Sequence, residues 1–252
     1  MTPWQALTDE LDRWGDLGRP ATFWWRDDDA AEPSPALETL LGLAADGPKL
    51  ALAMVPARLD PAVIPLVARA HCTVVQHGLT HLNHAPEGDK ASEFPAARLL
   101  TDRLFDLGEG RGVLAEAFGD QFLPAFVPPW NRIGDDLIAL LPGQGYCGLS
   151  TFNPTPEKAR RLAIAELRWV NCHCDPIHWK QGRVFRGEAF ALEEITRHLT
   201  ARRLGTVTEE PTGLLTHHLV HDDAMTAFLA KLFAVTLTHP AARWLTPEEA
   251  FA

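Results

Sequence analysis

Apolar and polar positions along the chain fall into short runs that alternate between two periods. Trp4, Leu7, Leu11 and Trp14 recur at helical spacing and predict a short amphipathic N-terminal helix. ATFWWR, residues 21–26, reads as the first strand. PSPALETLLGLAADG follows as a helix, with proline near its start and glycine at its end. LALAMVP predicts the second strand, and DPAVIPLVARA a helix that Pro65 makes irregular. CTVVQH is the third strand, and beyond a polar loop a long helical region covers EFPAARLLTDRLFDL and GVLAEAFGD. FLPAFVPP is the fourth strand, with a helix in GDDLIALLPGQG behind it; YCGLSTF and LRWVNCHCD are the fifth and sixth. A helix in ALEEITRHLTARRLG leads to TGLLTHH, the seventh strand, and DDAMTAFLAKLFAVTLTH supplies the last long helix.

Strands alternating with helices over short connections predict an α/β fold with a mostly parallel sheet. No Ser/Gly-rich linker, low-complexity tract or short-period repeat interrupts the pattern, so residues 1–252 read as one domain with a short N-terminal helix. Seven strands favour a distorted, imperfectly closed (β/α) barrel over an open doubly wound sheet. No Gly-x-Gly-x-x-Gly or P-loop pattern follows any strand, so a nucleotide-binding fold has no support.

A net charge of −10 without a Lys/Arg-rich stripe argues against nucleic acid or an anionic membrane as partner. No apolar run approaches the length needed to span a bilayer, and the first residues lack a basic segment followed by an apolar one. The expectation is a cytoplasmic protein acting on a soluble substrate. Cys72, Cys147, Cys172 and Cys174 do not form a disulfide framework, and Cys172-x-Cys174 lacks the second nearby pair that zinc would need. They read as small buried hydrophobes. Nothing in the pattern fixes an oligomeric state.

In a parallel α/β fold the functional site forms at the C-terminal ends of the strands. The first strand ends in Asp27-Asp28-Asp29, the third in His77 to His84, and the fourth in Pro128-Pro129-Trp130-Asn131-Arg132. The sixth ends in His173 to Trp179 and the seventh in Thr216 to Asp223. Eight of the eleven histidines fall at three of these ends. His77 and His81 are four apart, so one helical turn would put both imidazoles within reach of one ion. Two imidazoles and a carboxylate make a three-ligand site for zinc or a similar divalent cation; the alternative is a pair of histidines satisfied by hydrogen bonds. Within the aspartate run, a metal-bound carboxylate is held ionised and an unbound neighbour can accept a proton from water. A solvated loop capping the next helix accounts for one aspartate but not for three behind aromatic residues.

Strand alternation sends one of His217 and His218 inward, so at most one of them is catalytic. An imidazolium there would protonate a leaving amine, and Asp175 would hold an imidazole or an arginine in place. His218 and His221 read as surface histidines. Trp130 and Trp179 flank the site, whereas Trp24 and Trp25 are better placed in the core.

These motifs resemble those of the polysaccharide deacetylase (NodB-homology) family of metal-dependent carbohydrate deacetylases. The family's Thr-Phe-Asp-Asp is similar to Arg26-Asp27-Asp28-Asp29, which implies Asp28 as general base and Asp29 as metal ligand. Its His-Ser/Thr-x-x-His is similar to His77-Gly78-Leu79-Thr80-His81, implying the two histidine ligands, with His84 as a substitute ligand or a supporting group. Arg-Pro-Pro resembles Val127-Pro128-Pro129-Trp130, and Asp-x-x-Asp-Trp resembles Asp175-Pro176-Ile177-His178-Trp179. Leu-x-His matches Leu215-Thr216-His217, implying His217 as general acid. The family fold, a distorted seven-stranded barrel, matches the strand count. Two departures stand out: Val127 occupies the place of the arginine that pairs with the base, and His178 that of an acidic residue. Arg26 and Arg132 are the candidate replacements for the arginine. Pleat alternation would put Asp27 and Asp29 on one side, leaving the register of the aspartates open by one. The resemblance implies a zinc-dependent hydrolase of N-acetyl bonds in a glycan or related small molecule. The missing arginine motivates the alternative, a non-catalytic carbohydrate-binding descendant. Asp27, Pro129, Asn131 and His173 complete the expected surroundings of the site.

Overall fold

The computed structural model describes residues 1–154 and 156–252. The first half of the chain runs α1 (Pro3–Asp16), β1 (Ala21–Ala30), α2 (Pro35–Ala45), β2 (Leu50–Met54), α3 (Ile64–Val67), β3 (Cys72–His77), α4 (Leu100–Phe118) and β4 (Phe122–Val127). It continues through α5 (Asp135–Ile138), β5 (Gly148–Leu149), α6 (Pro156–Arg161), β6 (Arg168–Trp169), β7 (Ile177–His178) and β8 (Val184–Phe185). The last elements are α7 (Glu188–Arg203), β9 (Thr212–Thr216), α8 (Asp223–Thr238), β10 (Ala242–Trp244) and α9 (Pro247–Ala250). Helix starts follow local chemistry: the Thr2, Ser34 and Asp222 side chains accept from backbone amides of α1, α2 and α8. Thr246 and Glu249 form a reciprocal capping box at α9.

Among the described residues, β1 to β6 pair in sequence order, all parallel, and β9 returns to pair with β1. Past β6, Cys172 bridges Phe152 and Cys174 bridges Leu214 of β9, so the seven-stranded wall curls round to meet itself. The expected distorted barrel is therefore present. β10 adds a further strand beside the start of β1, and β7 and β8 form a separate antiparallel hairpin.

Strand alternation sorts the wall. Trp24, Ala51, Ala53, Val75, Ala125, Val127 and Leu215 fill the barrel interior, where the small alanines leave room for the Trp24 indole. Phe23, Trp25, Leu50, Leu52, Met54 and Leu214 face outward under the helices. Trp24 and Trp25 are core residues, as expected, each donating its indole N–H to an internal acceptor, Asn171 O and Thr216 Oγ1. At the end where the strands begin, Phe251 packs edge-on against Trp24 and Glu248 accepts from Lys49 and Thr73. That end is plugged, and the chemistry-bearing residues collect at the other.

Several elements differ from expectation. β1 does not stop at Arg26 but continues through all three aspartates. The helix expected from residue 93 begins only at Leu100, and the stretch before it carries Glu93 beneath the end of β3. The fifth and sixth strands are two residues each, although hydrogen bonds from Val170 to Leu149 and from Cys172 to Thr151 prolong their pairing. β10 and α9 lie in a C-terminal stretch too short to show a period. The four cysteines are free thiols, three of them buried, and no helix among the described residues is long and apolar enough to cross a membrane.

Barrel closure leaves a checkable constraint at Gly213. A Cβ there would collide with the Asn171 carbonyl and lie 2.5 Å from Trp24 Nε1 and 2.7 Å from Cys172 Cα. Gly213→Ala is expected to destabilise the fold by about 1–3 kcal/mol or more, as overpacking does. Urea unfolding of the variant beside the parent chain measures it; an unchanged midpoint contradicts the tight closure.

Candidate metal centre

Arg26 and Asp28 are two apart on β1 and both face the barrel interior, where strand geometry would send Asp27 and Asp29 to the opposite side. The β1–β2 register, however, shifts between Asp27 and Ala30, and Asp29 adopts φ +76°. This bulge breaks the alternation and turns Asp29 inward as well. The three carboxylates thus reach three environments. The register left open by the sequence is decided by a backbone irregularity.

Asp29 Oδ1 lies 3.2 Å from Nε2 of His77 and 3.2 Å from Nε2 of His81. The ligand atoms of these three residues all lie within 4.8 Å of one another. His77 ends β3, is buried, and directs Nδ1 at the Val127 carbonyl, 3.0 Å away. A proton on Nδ1 is thereby fixed, and Nε2 is the atom that faces Asp29 and would turn its lone pair to a bound ion. Burial alone would raise the Asp29 carboxyl, but hydrogen bonds from His77 and His81 outweigh it and hold the group far below the usual carboxylate range.

His77 and His81 do not share a helical turn, as their spacing suggested. Gly78 at φ +61° and His81 at φ +59° bend the chain sharply. Only glycine fits at residue 78, because a Cβ would overlap the Glu93 carboxylate and lie 2.6 Å from Pro129 Cγ. Glu93 is fully buried and supplies what a helix would have supplied to the amides. It accepts from the backbone N–H of Leu79, Thr80 and His81 and from the Thr80 hydroxyl. Sequence reasoning missed Glu93, which sits twelve residues past His81 in a stretch without periodicity.

Arg26 answers the missing arginine. Its Nε lies 2.9 Å from Asp28 Oδ1 and its Nη2 donates to Asp28 Oδ2 at 3.0 Å, both side chains buried. Nη1 donates to Ser150 Oγ at 2.6 Å and Nη2 also to Asn131 Oδ1 at 2.7 Å. Burial would lower the guanidinium pKa, but the adjacent Asp28 more than offsets it. Val127 lies in the apolar barrel interior. Arg132, the other candidate, is spent on the Ala91 carbonyl. Trp130, at φ +55°, sets its ring 4.4 Å from that of His81.

Across from this pair, His217 Nε2 is 3.9 Å from Asp28 Oδ2. The Trp179 ring meets His217 edge-on at 4.5 Å, and its indole donates to Asp175 Oδ2 at 2.7 Å. Burial raises the Asp175 carboxyl, in spite of His217 nearby. His217 Nδ1 is buried with no hydrogen-bond partner.

Other expectations need correction. His173 does not approach the cluster: it accepts from Gly213 N, faces Glu210 and stacks on His198 at 3.4 Å, toward the start of β9. His84 is exposed and is not one of the clustered ligands. His218 is no surface histidine. It is 2% exposed, with Nδ1 2.5 Å from Asp27 Oδ1, while Thr216 Oγ1 donates to Asp27 Oδ2 at 2.6 Å. Asp27 thereby belongs to the outer face of the wall. Burial would raise its carboxyl, but His218 holds it low. His221 is only partly exposed, its Nε2 buried without a partner.

The donor set fits a divalent cation. Atoms each about 2.1 Å from one ion at tetrahedral angles lie roughly 3.4 Å apart, close to the 3.2 Å separations found. Two imidazoles with one carboxylate suit zinc, cobalt and similar borderline ions.

No family model and no curated protein matches the sequence. Solved structures do match the fold. A probable polysaccharide deacetylase from Pseudomonas aeruginosa PAO1 superposes with TM-score 0.66 at 13% identity, covering 93% of this chain and 91% of that one. A family 4 acetyl xylan esterase from Clostridium thermocellum, in complex with a cobalt ion, gives 0.53 at 12% identity over 91% and 90%. A CE4 family pseudoenzyme from Bacillus anthracis gives 0.55 at 13% identity, over 92% of this chain and 66% of that one. The resemblance seen in the motifs therefore extends to the fold.

Glu93 makes the ligand turn testable. Glu93→Ala leaves three turn amides without their acceptor and is expected to weaken zinc binding about 10–100-fold, as loss of a group supporting a ligand does. Competition with a chromophoric chelator reads the affinity; unchanged binding refutes the role of Glu93 in holding His81.

Proposed function

We propose that this chain is a divalent-metal-dependent hydrolase that removes acetyl groups from nitrogen in an N-acetylated carbohydrate or related small molecule. The observation that carries the reading is the convergence on one barrel end of the Asp29–His77–His81 cluster, the Arg26-paired Asp28 and the facing His217. The fold shared with a probable polysaccharide deacetylase and an acetyl xylan esterase supports it.

Asp29, His77 and His81 would hold the ion, with zinc as the cation their chemistry suits best. Such a cation supplies Lewis-acid activation of water and of the scissile carbonyl. Asp28 serves as general base. Arg26 holds the two carboxyl oxygens in place, so that a proton removed from the attacking water arrives on a fixed oxygen. His217, on the other side of the same interior space, donates a proton to the departing amine. Trp179 limits the rotation of the His217 ring, and Asp175 fixes Trp179 through the indole N–H. Trp130 beside His81 and Trp179 beside His217 offer aromatic faces to a sugar ring.

The binding-only alternative rested on the valine at position 127. Arg26 beside Asp28 supplies the guanidinium whose absence motivated it. The pseudoenzyme with the same fold makes the assay decisive.

Asp28→Asn is expected to lower acetate release from N-acetylglucosamine oligomers by about 10²–10⁴-fold, the usual worth of a general base, while zinc content stays at the parental level. Acetate quantification alongside metal analysis checks both. A zinc-loaded parent chain that releases no acetate from N-acetylated sugars or small amides would sink the proposal. His217→Ala is expected to slow amide substrates more than activated esters, whose leaving groups need no proton.

A further inference from the structure

Asp27 and His218 take no part in the chemistry proposed above, yet they are the most closely paired ionisable groups at this end of the barrel. β1 and β9 are adjacent parallel strands, and their ladder ends at the pair Asp27 and Thr216. The next residue on each strand is Asp28 and His217, both pointing inward, 3.9 Å apart at the nearest atoms. Past the last ladder pair the two chains diverge: β1 enters the bulge at Asp29, and β9 passes into the short turn His218–Val220. On the outer face, Asp27 bonds at once to Thr216 and His218, and Trp25 Nε1 donates to the same Thr216 hydroxyl at 2.9 Å. A side-chain clasp thus joins the two strands at the level where backbone pairing stops.

We propose that Asp27 and His218 are positioning residues that set the relative height of Asp28 and His217 across the site. The inference rests on the reading of Asp28 as base and His217 as acid. Side chains alternate in and out along a strand, so a tie between the outward residues 27 and 218 fixes the backbone that carries the inward residues 28 and 217. A displacement of an ångström between an acid and a base costs about a hundredfold in rate, which gives the clasp its consequence. The third aspartate acquires a role that neither metal ligation nor proton transfer supplied.

The experiment replaces both partners, because removing one alone leaves a buried group unpaired. Asp27→Leu with His218→Phe substitutes apolar groups for the pair, a change that is often neutral for stability. In the zinc-loaded protein the double variant is expected to keep KM and zinc affinity within about threefold and to lose about 10–100-fold in kcat. Its crystal structure is expected to show the Asp28–His217 separation changed by about 1 Å. Parental kcat, or an unchanged separation, overturns the proposal and makes the clasp a stability element only. Should the double variant not fold, His218→Asn, which keeps a donor toward Asp27, is compared with His218→Ala. The asparagine variant is expected to retain at least about tenfold more kcat, and equal rates overturn the role. If the parent chain itself hydrolyses nothing, the functional reading has failed, and the separation in the variant structure alone decides whether the clasp sets the geometry.

Discussion

Three consecutive carboxylates can share one buried strand end only when each has its own compensating group, because unpaired buried charge is among the largest penalties a fold can carry. The end of β1 meets this constraint by dividing its neighbours. Asp27 is met from outside by His218 and Thr216, Asp28 from inside by Arg26, and Asp29 by the two imidazoles at the end of β3. The bulge at Asp29 makes the division possible, since a regular strand would have crowded Asp27 and Asp29 onto one face. Much else at this end follows from that demand: Glu93 bending the turn that delivers His81, Asn131 and Ser150 accepting from two further guanidinium N–H groups, and Trp130 covering His81.

The placement of Arg26 shows how one strand can supply both members of a buried arginine–aspartate pair. A carboxyl group buried at this end needs a hydrogen-bonding partner, and for Asp28 that partner is a guanidinium. It can come from the end of a facing strand or from two residues back on the same strand, because positions i and i+2 share a face. Here the strand supplies it to itself. Val127 then continues the apolar wall, and its carbonyl still serves the site by fixing the His77 ring. The arrangement puts both members of the pair on β1, with Asn131 from the loop after β4 accepting from the guanidinium.

Much of the fold was legible because period and punctuation agreed. The first four strands and the long helices carry strong alternation or helical spacing, and proline and glycine mark most of their boundaries. The fifth and sixth strands were legible in place but not in length, since short strands at a barrel seam pair by single bridges that leave no pattern. In the site, His77, His81 and the aspartates announced themselves by type and spacing, and the resemblance assigned them expected roles. His218 and His173 were misjudged for one reason: a histidine's environment depends on which face of a strand it takes and what lies across from it. Glu93 gave no signal, because its partners are backbone amides, which carry no sequence identity.

The sequence by itself determined the alternation of strands and helices, the parallel barrel, and the gathering of histidines and aspartates at one end of it. Those features follow from periodicity and connection length, which are local properties of the chain. Tertiary structure alone decided which aspartate faces which partner, that Arg26 and not Arg132 stands beside Asp28, and that the His77–His81 turn hangs on Glu93. Each of these depends on a backbone irregularity or on an approach between residues far apart in sequence. Local pattern has no means of recording a bulge at Asp29 or a left-handed turn at Gly78 and His81; only the packing around them selects those conformations.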